Sequence, residues 1–174
     1  MNEYEIVKNH LRDNHKFESV IDRDKDRRDS THEFFTPYEL VDKGVSLFDD
    51  SAWAIGKTFI DSSCGDGQLL SGVILKKIEK GCTYTQAIDD IYGIEYEQDN
   101  CILCINRLFG AYELPKIKIF TGNDIPHNWR SIGLKSVFEV NGNICNIVCA
   151  DALTYDYSFG TNENVPELFD SLFE

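Results

Sequence analysis

No apolar run in this 174-residue chain approaches the roughly 18 residues needed to span a bilayer. The opening MNEYEIVKNH also lacks a signal-peptide core, so the expectation is a cytoplasmic protein with no membrane partner. Basic residues are scarce, with 17 Lys+Arg against 30 Asp+Glu, a formal charge of −13 and a pI near 4.6. A surface of that sign repels phosphate on average, which limits nucleic-acid contact to a local basic patch. Proline is rare as well: Pro37, Pro115, Pro126 and Pro166 are the whole set, and no two are adjacent. Repeats and low-complexity tracts are absent. What is present is an ordinary globular balance, 42% hydrophobic and 27% charged, at a length that suits one domain with a proper core.

Six cysteines, at 64, 82, 101, 104, 145 and 149, read as reduced and mostly buried thiols in such a chain. Cys101 and Cys104 with Cys145 and Cys149 form a CxxC and a CxxxC, a spacing that also permits zinc. However, Cys101, Cys104, Ile105 and Leu108 recur at i, i+3, i+4 and i+7 of a helical pattern, and Cys149 closes an apolar strand-like run. Core packing explains both pairs more simply, and no metal is expected.

The chain divides into a mixed-charge N-terminal arm over 1–33, a central domain over 34–154 and an acidic tail over 155–174. Residues 1–35 hold seven basic and nine acidic residues, including the run 23–28. That run reads either as a solvated face or as a basic strip for a nucleic-acid backbone. The last twenty residues carry five acids and no bases, ending in an amphipathic turn from Pro166 to Phe173. Between the ends, helix and strand alternate. Thr36-Pro37-Tyr38-Glu39 carries a cap, a first-turn proline and a capping-box acid. Thr58-Phe59-Ile60 predicts a strand, and an amphipathic helix follows from Leu69 to Ile78, with Gly81 as its stop. Thr83 to Gln86 predicts a second capping box. Ile91 to Ile94 predicts a strand, 98–109 a helix, 117–121 and 136–140 further strands, and Asn146 to Asp151 the last. This alternation predicts an α/β fold with a parallel sheet and helices on its faces.

Ligands of such sheets bind beyond the carboxyl ends of the strands. Three predicted strands end in an acid: Asp61, Glu95 and Asp151. The first leads into Cys64-Gly65-Asp66-Gly67, where small residues allow close backbone approach and positive φ. An acid at the next strand end suits both hydroxyls of a ribose. A dinucleotide site wants a third glycine, but Leu70 stands there, and Asp66 brings negative charge to a helix start where pyrophosphate would bind. Both features favour a phosphate-free ligand with a cationic end, such as S-adenosylmethionine.

Taken in order, these segments resemble the cofactor-binding half of adenine-N6 DNA methyltransferases, and short methylase-like phage proteins in particular. Phe35-Thr36-Pro37 with Glu39-Leu40-Val41 looks like the family's FTP-helix motif, which lines the methionine end of the cofactor. Asp61-Ser62-Ser63-Cys64-Gly65-Asp66-Gly67-Gln68-Leu69-Leu70 looks like its D-P-x-C-G-x-G-x-L-L loop, with Ser62 in place of proline. Gly93-Ile94-Glu95 looks like the ribose-binding strand end, and Cys149-Ala150-Asp151-Ala152-Leu153 like the adenine-contacting D-x-L segment. The resemblance spans 34–153. It implies a Rossmann-like class I methyltransferase fold and S-adenosylmethionine as cofactor. The implied cofactor set is Phe35, Thr36, Pro37, Asp61, Cys64, Gly65, Gly67, Glu95, Tyr96, Asp151 and Ala152. In that reading Asp61 takes the methionine ammonium, Gly65 and Gly67 admit it, Glu95 holds the ribose and Asp151 the adenine N6.

One departure stands against the match. The family's next strand ends in N-P-P-Y or D-P-P-Y, which holds a base flipped from the duplex. No such segment occurs here; Asn164-Val165-Pro166-Glu167 and Asn123-Asp124-Ile125-Pro126 are poor substitutes, and no catalytic residue is assigned. The resemblance also implies about seven strands, four of them after the D-x-L segment, and twenty residues cannot make four. The expected fold is therefore truncated after the third cofactor-binding strand. Its first strand would lie at an open sheet edge, covered by the arm, the tail, a second copy or a partner subunit. Three functions follow as expectations: an adenine-N6 DNA methyltransferase in a phage-host cytoplasm, a non-catalytic S-adenosylmethionine-binding protein acting in sequestration, anti-restriction or regulation, and a subunit needing a partner.

Overall fold

The computed structural model describes residues 2–14 and 36–160. Phe35, the run 23–28 and the tail from 161 onward, including Asn164-Val165-Pro166-Glu167, lie outside the described residues. Five strands form one sheet: β1 (Phe59–Asp61), β2 (Ile91–Glu95), β3 (Ile117–Thr121), β4 (Leu134–Val140) and β5 (Asn143–Ala150). Their order is β1-β2-β5-β4-β3. β1, β2 and β5 run parallel, while β4 and β3 are antiparallel additions on the far side of β5. The helices are α1 (Glu3–Lys8), which continues as a π-helical turn over Asn9–Asn14, α2 (Tyr38–Val45), α3 (Gln68–Glu79), α4 (Tyr84–Asp89) and α5 (Gln98–Phe109).

Local chemistry accounts for most of these boundaries. Thr83 and Gln86 close the expected reciprocal capping box at the start of α4. Gly81 adopts φ +103° after α3, and the Cys82 N–H reaches back to the Lys77 carbonyl, a Schellman-type stop. β4 returns into β5 through Asn141-Gly142, both at positive φ, the two-residue turn whose twist matches the strands it joins. The capping box expected at Thr36 does not form. Pro37 is itself the N-cap, at ψ 147° and without a side-chain cap bond. Because Pro37 is itself extended and takes the N-cap place, Thr36 stands one position too early.

Among the described residues, all five helices pack on a single face of the sheet. Val7, Leu11, Val45, Leu70, Ile74, Tyr84, Ile105 and Leu108 share one core with Ile91, Ile147 and Cys149 from the strands. The opposite face, carrying Tyr92, Ile94, Val137, Val148 and Ala150, is covered by irregular chain through Ile125, Trp129, Tyr155 and Phe159. The expectation of helices on both faces is thus corrected. A right-handed crossover places its helix on a face set by the direction of travel. From β1 to β2 to β5 that direction never reverses, so the described helices stay together. Within the segment read as a mixed-charge arm, Val7 and Leu11 are fully buried. At the other end Tyr155 and Phe159 are buried past the expected boundary at 154.

A buried ion pair locks the amino ends of β1 and β2. Lys77 of α3, fully buried, places Nζ 2.8 Å from Asp90 Oδ2 and 2.9 Å from the Ala54 carbonyl. The same carboxylate oxygen accepts the Gly56 N–H at 2.9 Å. Removing one member of a buried pair leaves an uncompensated charge, at a cost of about 3–5 kcal/mol. Lys77→Met is therefore expected to lower the unfolding free energy by about that amount in urea titration; a loss below about 1 kcal/mol would mean that the pair is solvated.

Candidate functional site

The carboxyl edge of the three parallel strands carries the acids. β1 ends at Asp61, β2 at Glu95, and Asp151 directly follows β5. Because β2 lies between its two parallel neighbours, the three acids stand on adjacent strand ends over a span of about 10 Å, two strand spacings. Register sets their relative height. Asp61 lies opposite Gly93, and Glu95 opposite Cys149, so Glu95 projects two residues farther than Asp61.

The turn after β1 folds directly onto Glu95. The Gly65 N–H donates to Glu95 Oε2 at 2.9 Å, and the Glu97 N–H donates to Oε1 at the same distance. One residue earlier, the Cys64 N–H donates to the Ile94 carbonyl. Gly65 and Gly67 take φ +53° and +84°, left-handed geometry that side chains rarely tolerate. At Gly67 space is closed as well, since a Cβ there would lie 2.8 Å from Cys104 Sγ. Gly93 plays the matching part on β2, lying against the Cys64 thiol and Leu70. The turn is thus held by both neighbours and by the glycines themselves.

Asp66 behaves differently from expectation. Its carboxylate does not face the ligand side of the turn but pairs with Arg107 of α5, Nη2 to Oδ2 at 2.6 Å, with both side chains nearly inaccessible. Arg107 Nε also donates to the Asp66 carbonyl at 2.8 Å, and Nη1 donates to the Tyr38 hydroxyl at 2.8 Å. The Tyr38 hydroxyl donates in turn to the Leu11 carbonyl. The charge argument against a phosphate ligand therefore falls, while the steric one stays, because Leu70 is buried where a third glycine would be needed. This network also brings Thr36 and Pro37, exposed at the start of α2, into connection with the glycine turn.

Asp61 stands in contrast. Its Oδ1 accepts the Ser63 N–H at 3.0 Å, and among the described residues no basic side chain pairs with it. Burial pushes its carboxyl above the ordinary value, only partly opposed by that hydrogen bond. A half-buried carboxylate without a cation fits a ligand that brings one, and an ammonium group does so. Asp151 holds a local turn, accepting the Leu153 N–H at 3.0 Å. Ala152 accepts the Tyr157 hydroxyl through its carbonyl. Tyr96 is exposed, with Lys135 Nζ over its ring and bonded to its carbonyl at 3.1 Å.

The cysteines are six free, buried thiols. Cys64 and Cys104 lie under the glycine turn, and their mutual hydrogen bond with burial keeps the Cys64 thiol well above its usual value. Among the described residues no group of three or more His, Cys, Asp or Glu side chains is placed to hold a metal. In the stretch Asn123-Asp124-Ile125-Pro126, weighed as base-holding, a 3₁₀ turn over Gly122–Asp124 sends Ile125 into the second-face core. Arg107, Tyr38 and Lys135 are the site neighbours that residue reading missed. The available signal for Arg107 was a lone arginine flanking the apolar stripe of 98–109, facing a lone acid between two glycines.

Comparison with protein-family models, curated proteins and solved structures returns no match to this chain.

The raised carboxyl gives a signed prediction. Folding disfavours the charged form of Asp61, so that penalty is present at neutral pH and disappears as pH falls below the unfolded value, about 3.9. Asp61→Asn keeps the acceptor for Ser63 and removes the charge. It should melt higher than the parent at pH 7, with the difference closing toward pH 4; equal melting across that range would show Asp61 to be fully solvated.

Proposed function

We propose that this chain binds S-adenosylmethionine at the carboxyl edge of β1, β2 and β5, as a methyltransferase-like protein related to adenine-N6 DNA methylation. The observation that carries the reading is the union of the glycine turn with Glu95, flanked by Asp61 and Asp151 on the adjoining strands. Asp61, the carboxylate lacking a cation, takes the methionine ammonium. Gly65 and Gly67 give the backbone clearance, and Cys64 lies beneath them. Thr36 and Pro37 line the methionine end. Glu95 accepts the ribose hydroxyls on the lone pairs that its two backbone donors leave free, and Asp151 accepts the adenine N6, with Tyr96 and Ala152 beside them. The sulfonium already activates the methyl group, so the protein's contribution to transfer is in-line positioning of an acceptor.

A second reading, binding without transfer or transfer only with a partner subunit, is favoured by one observation. Among the described residues no strand lies beyond β1, where the base-holding half of the resembled family would continue. Titration calorimetry with S-adenosylmethionine tests the shared claim. The parent should bind, and Asp61→Ala and Glu95→Ala should each weaken binding by about 1–3 kcal/mol, the value of a hydrogen bond to a charged group. A flat parent titration ends both readings, and unchanged affinity in both variants ends the site assignment. Methyl transfer from labelled cofactor to adenine in plasmid DNA then selects the enzyme over the binding protein.

A further inference from the structure

Two pairs of thiols touch within the helix-side core. Cys64 meets Cys104 beneath the glycine turn, and Cys101 meets Cys149 between α5 and the ends of β2 and β5. The first pair is closed in, with Cys64 against Gly93 and Cys104 against Gly67. The second is placed differently. Cys101, near the start of α5, is fully buried, its Sγ 3.8 Å from the Glu95 carbonyl and 3.7 Å from the Val148 carbonyl. Cys149, near the end of β5, donates its thiol to the Tyr96 carbonyl at 3.2 Å. Lys135 Nζ donates to that same carbonyl at 3.1 Å, and Tyr96 and Lys135 are both exposed. Surface side chains therefore lie beside Cys149, whereas the core encloses Cys101.

The two sulfurs also differ in character. The hydrogen bond from Cys101 and the charge of Lys135 hold the Cys149 thiol below its usual value, against its burial and the carboxylates of Glu95 and Glu97. Burial and the bond to Cys149 push the Cys101 thiol up. A thiolate is the reacting form of cysteine, and a low-pKa thiol poised beside a second one is the arrangement of a redox dithiol. One sulfur is disposed to attack, and the other is in reach to resolve what the attack produces.

We propose that Cys149 and Cys101 form a reversible oxidation site for a small hydroperoxide, with Cys149 attacking and Cys101 resolving. The Cys149 thiolate attacks hydrogen peroxide, the O–O bond breaks, and the sulfur becomes a sulfenic acid while the leaving hydroxide takes a proton to form water. The Cys101 sulfur then displaces the sulfenic hydroxyl, which departs with the Cys101 proton as a second water, and the S–S bond forms. Two thiols lose two electrons, and the peroxide gains them. An external dithiol reverses the step by exchange. The disulfide ties the start of α5 to β5 and leaves the Tyr96 carbonyl without its thiol donor, so the state of the pair is felt at the end of β2. This site does not depend on the cofactor reading.

The test treats the intact, reduced chain with stoichiometric hydrogen peroxide, blocks the remaining thiols and maps them by mass spectrometry. A crosslink from Cys101 to Cys149 should form first, with Cys64, Cys82, Cys104 and Cys145 still free, and dithiothreitol should undo it. Cys101→Ala should instead leave a sulfenic acid at Cys149 that dimedone traps. Lys135→Gln, a change at the surface, should slow the oxidation several-fold. The map of the parent chain decides the matter even where Cys101→Ala fails to fold. A first crosslink between other cysteines, oxidation of all six thiols at one rate, or a Lys135→Gln rate equal to the parent's overturns the proposal.

Discussion

The buried pair of Arg107 and Asp66 is the contact on which the rest of the site depends. Two charges withdrawn from water are costly, and their attraction offsets that cost only when the remaining donors are satisfied as well. Here they are: the guanidinium reaches the Asp66 carboxylate, the Asp66 carbonyl, the Tyr38 hydroxyl and the Leu11 carbonyl. A hydrophobic pair of similar volume could fill the same space, but it would not aim the turn. The fork geometry of the guanidinium fixes Asp66 between Gly65 and Gly67, and so fixes the two left-handed residues that free the backbone above. The π-helical turn and α2 are drawn into the same knot, which is why the N-terminal residues pack into the core.

The direction of winding has an equally definite consequence. In a doubly wound sheet the strand order reverses, and the ligand crevice opens at the reversal. Here the parallel strands run one way only, so the carboxyl edge lies beside a terminal strand rather than between two halves. β1 is three residues long, and Phe59 on its helical side is shielded by Trp53 and Phe48 in a stacked and edge-on aromatic set. A short edge strand with one aromatic flank resists unwanted pairing better than a long flat one. The exposed side of the strand, at Ile60, is what this shielding leaves over.

Much of this was legible in the residues, for reasons that are local. The helix over 98–109 and the strand over 117–121 follow from periodicity, and the Thr83 box from capping chemistry alone. Asn141-Gly142 carries an equally local hairpin signal, and it sets β4 antiparallel to β5. The single helical layer was not legible, since the face a helix takes depends on strand order, a tertiary property. Nor were Lys77 and Arg107. A charged residue beside an apolar stripe has the same spacing whether it reaches water or a buried partner, and only the position of Asp90 or Asp66 across the fold decides. At Thr36 the difference is one residue, because Pro37 is extended and takes the N-cap place itself.

The two acids nearest the glycine turn illustrate how environment separates identical chemistry. Glu95 is mostly buried, but both oxygens accept backbone N–H groups, so its charge is supported by the fold. Asp61 has one such donor and an elevated carboxyl, so its charge is tolerated rather than supported. A cation beside Glu95 would add little, because the need there is already met; beside Asp61 it would restore what burial removes. A neutral polyhydroxyl group has the opposite preference, gaining most from a carboxylate held rigidly in one orientation. Under the proposed reading the order along the edge, ammonium at β1 and ribose at β2, is therefore dictated by which carboxylate the backbone has left wanting.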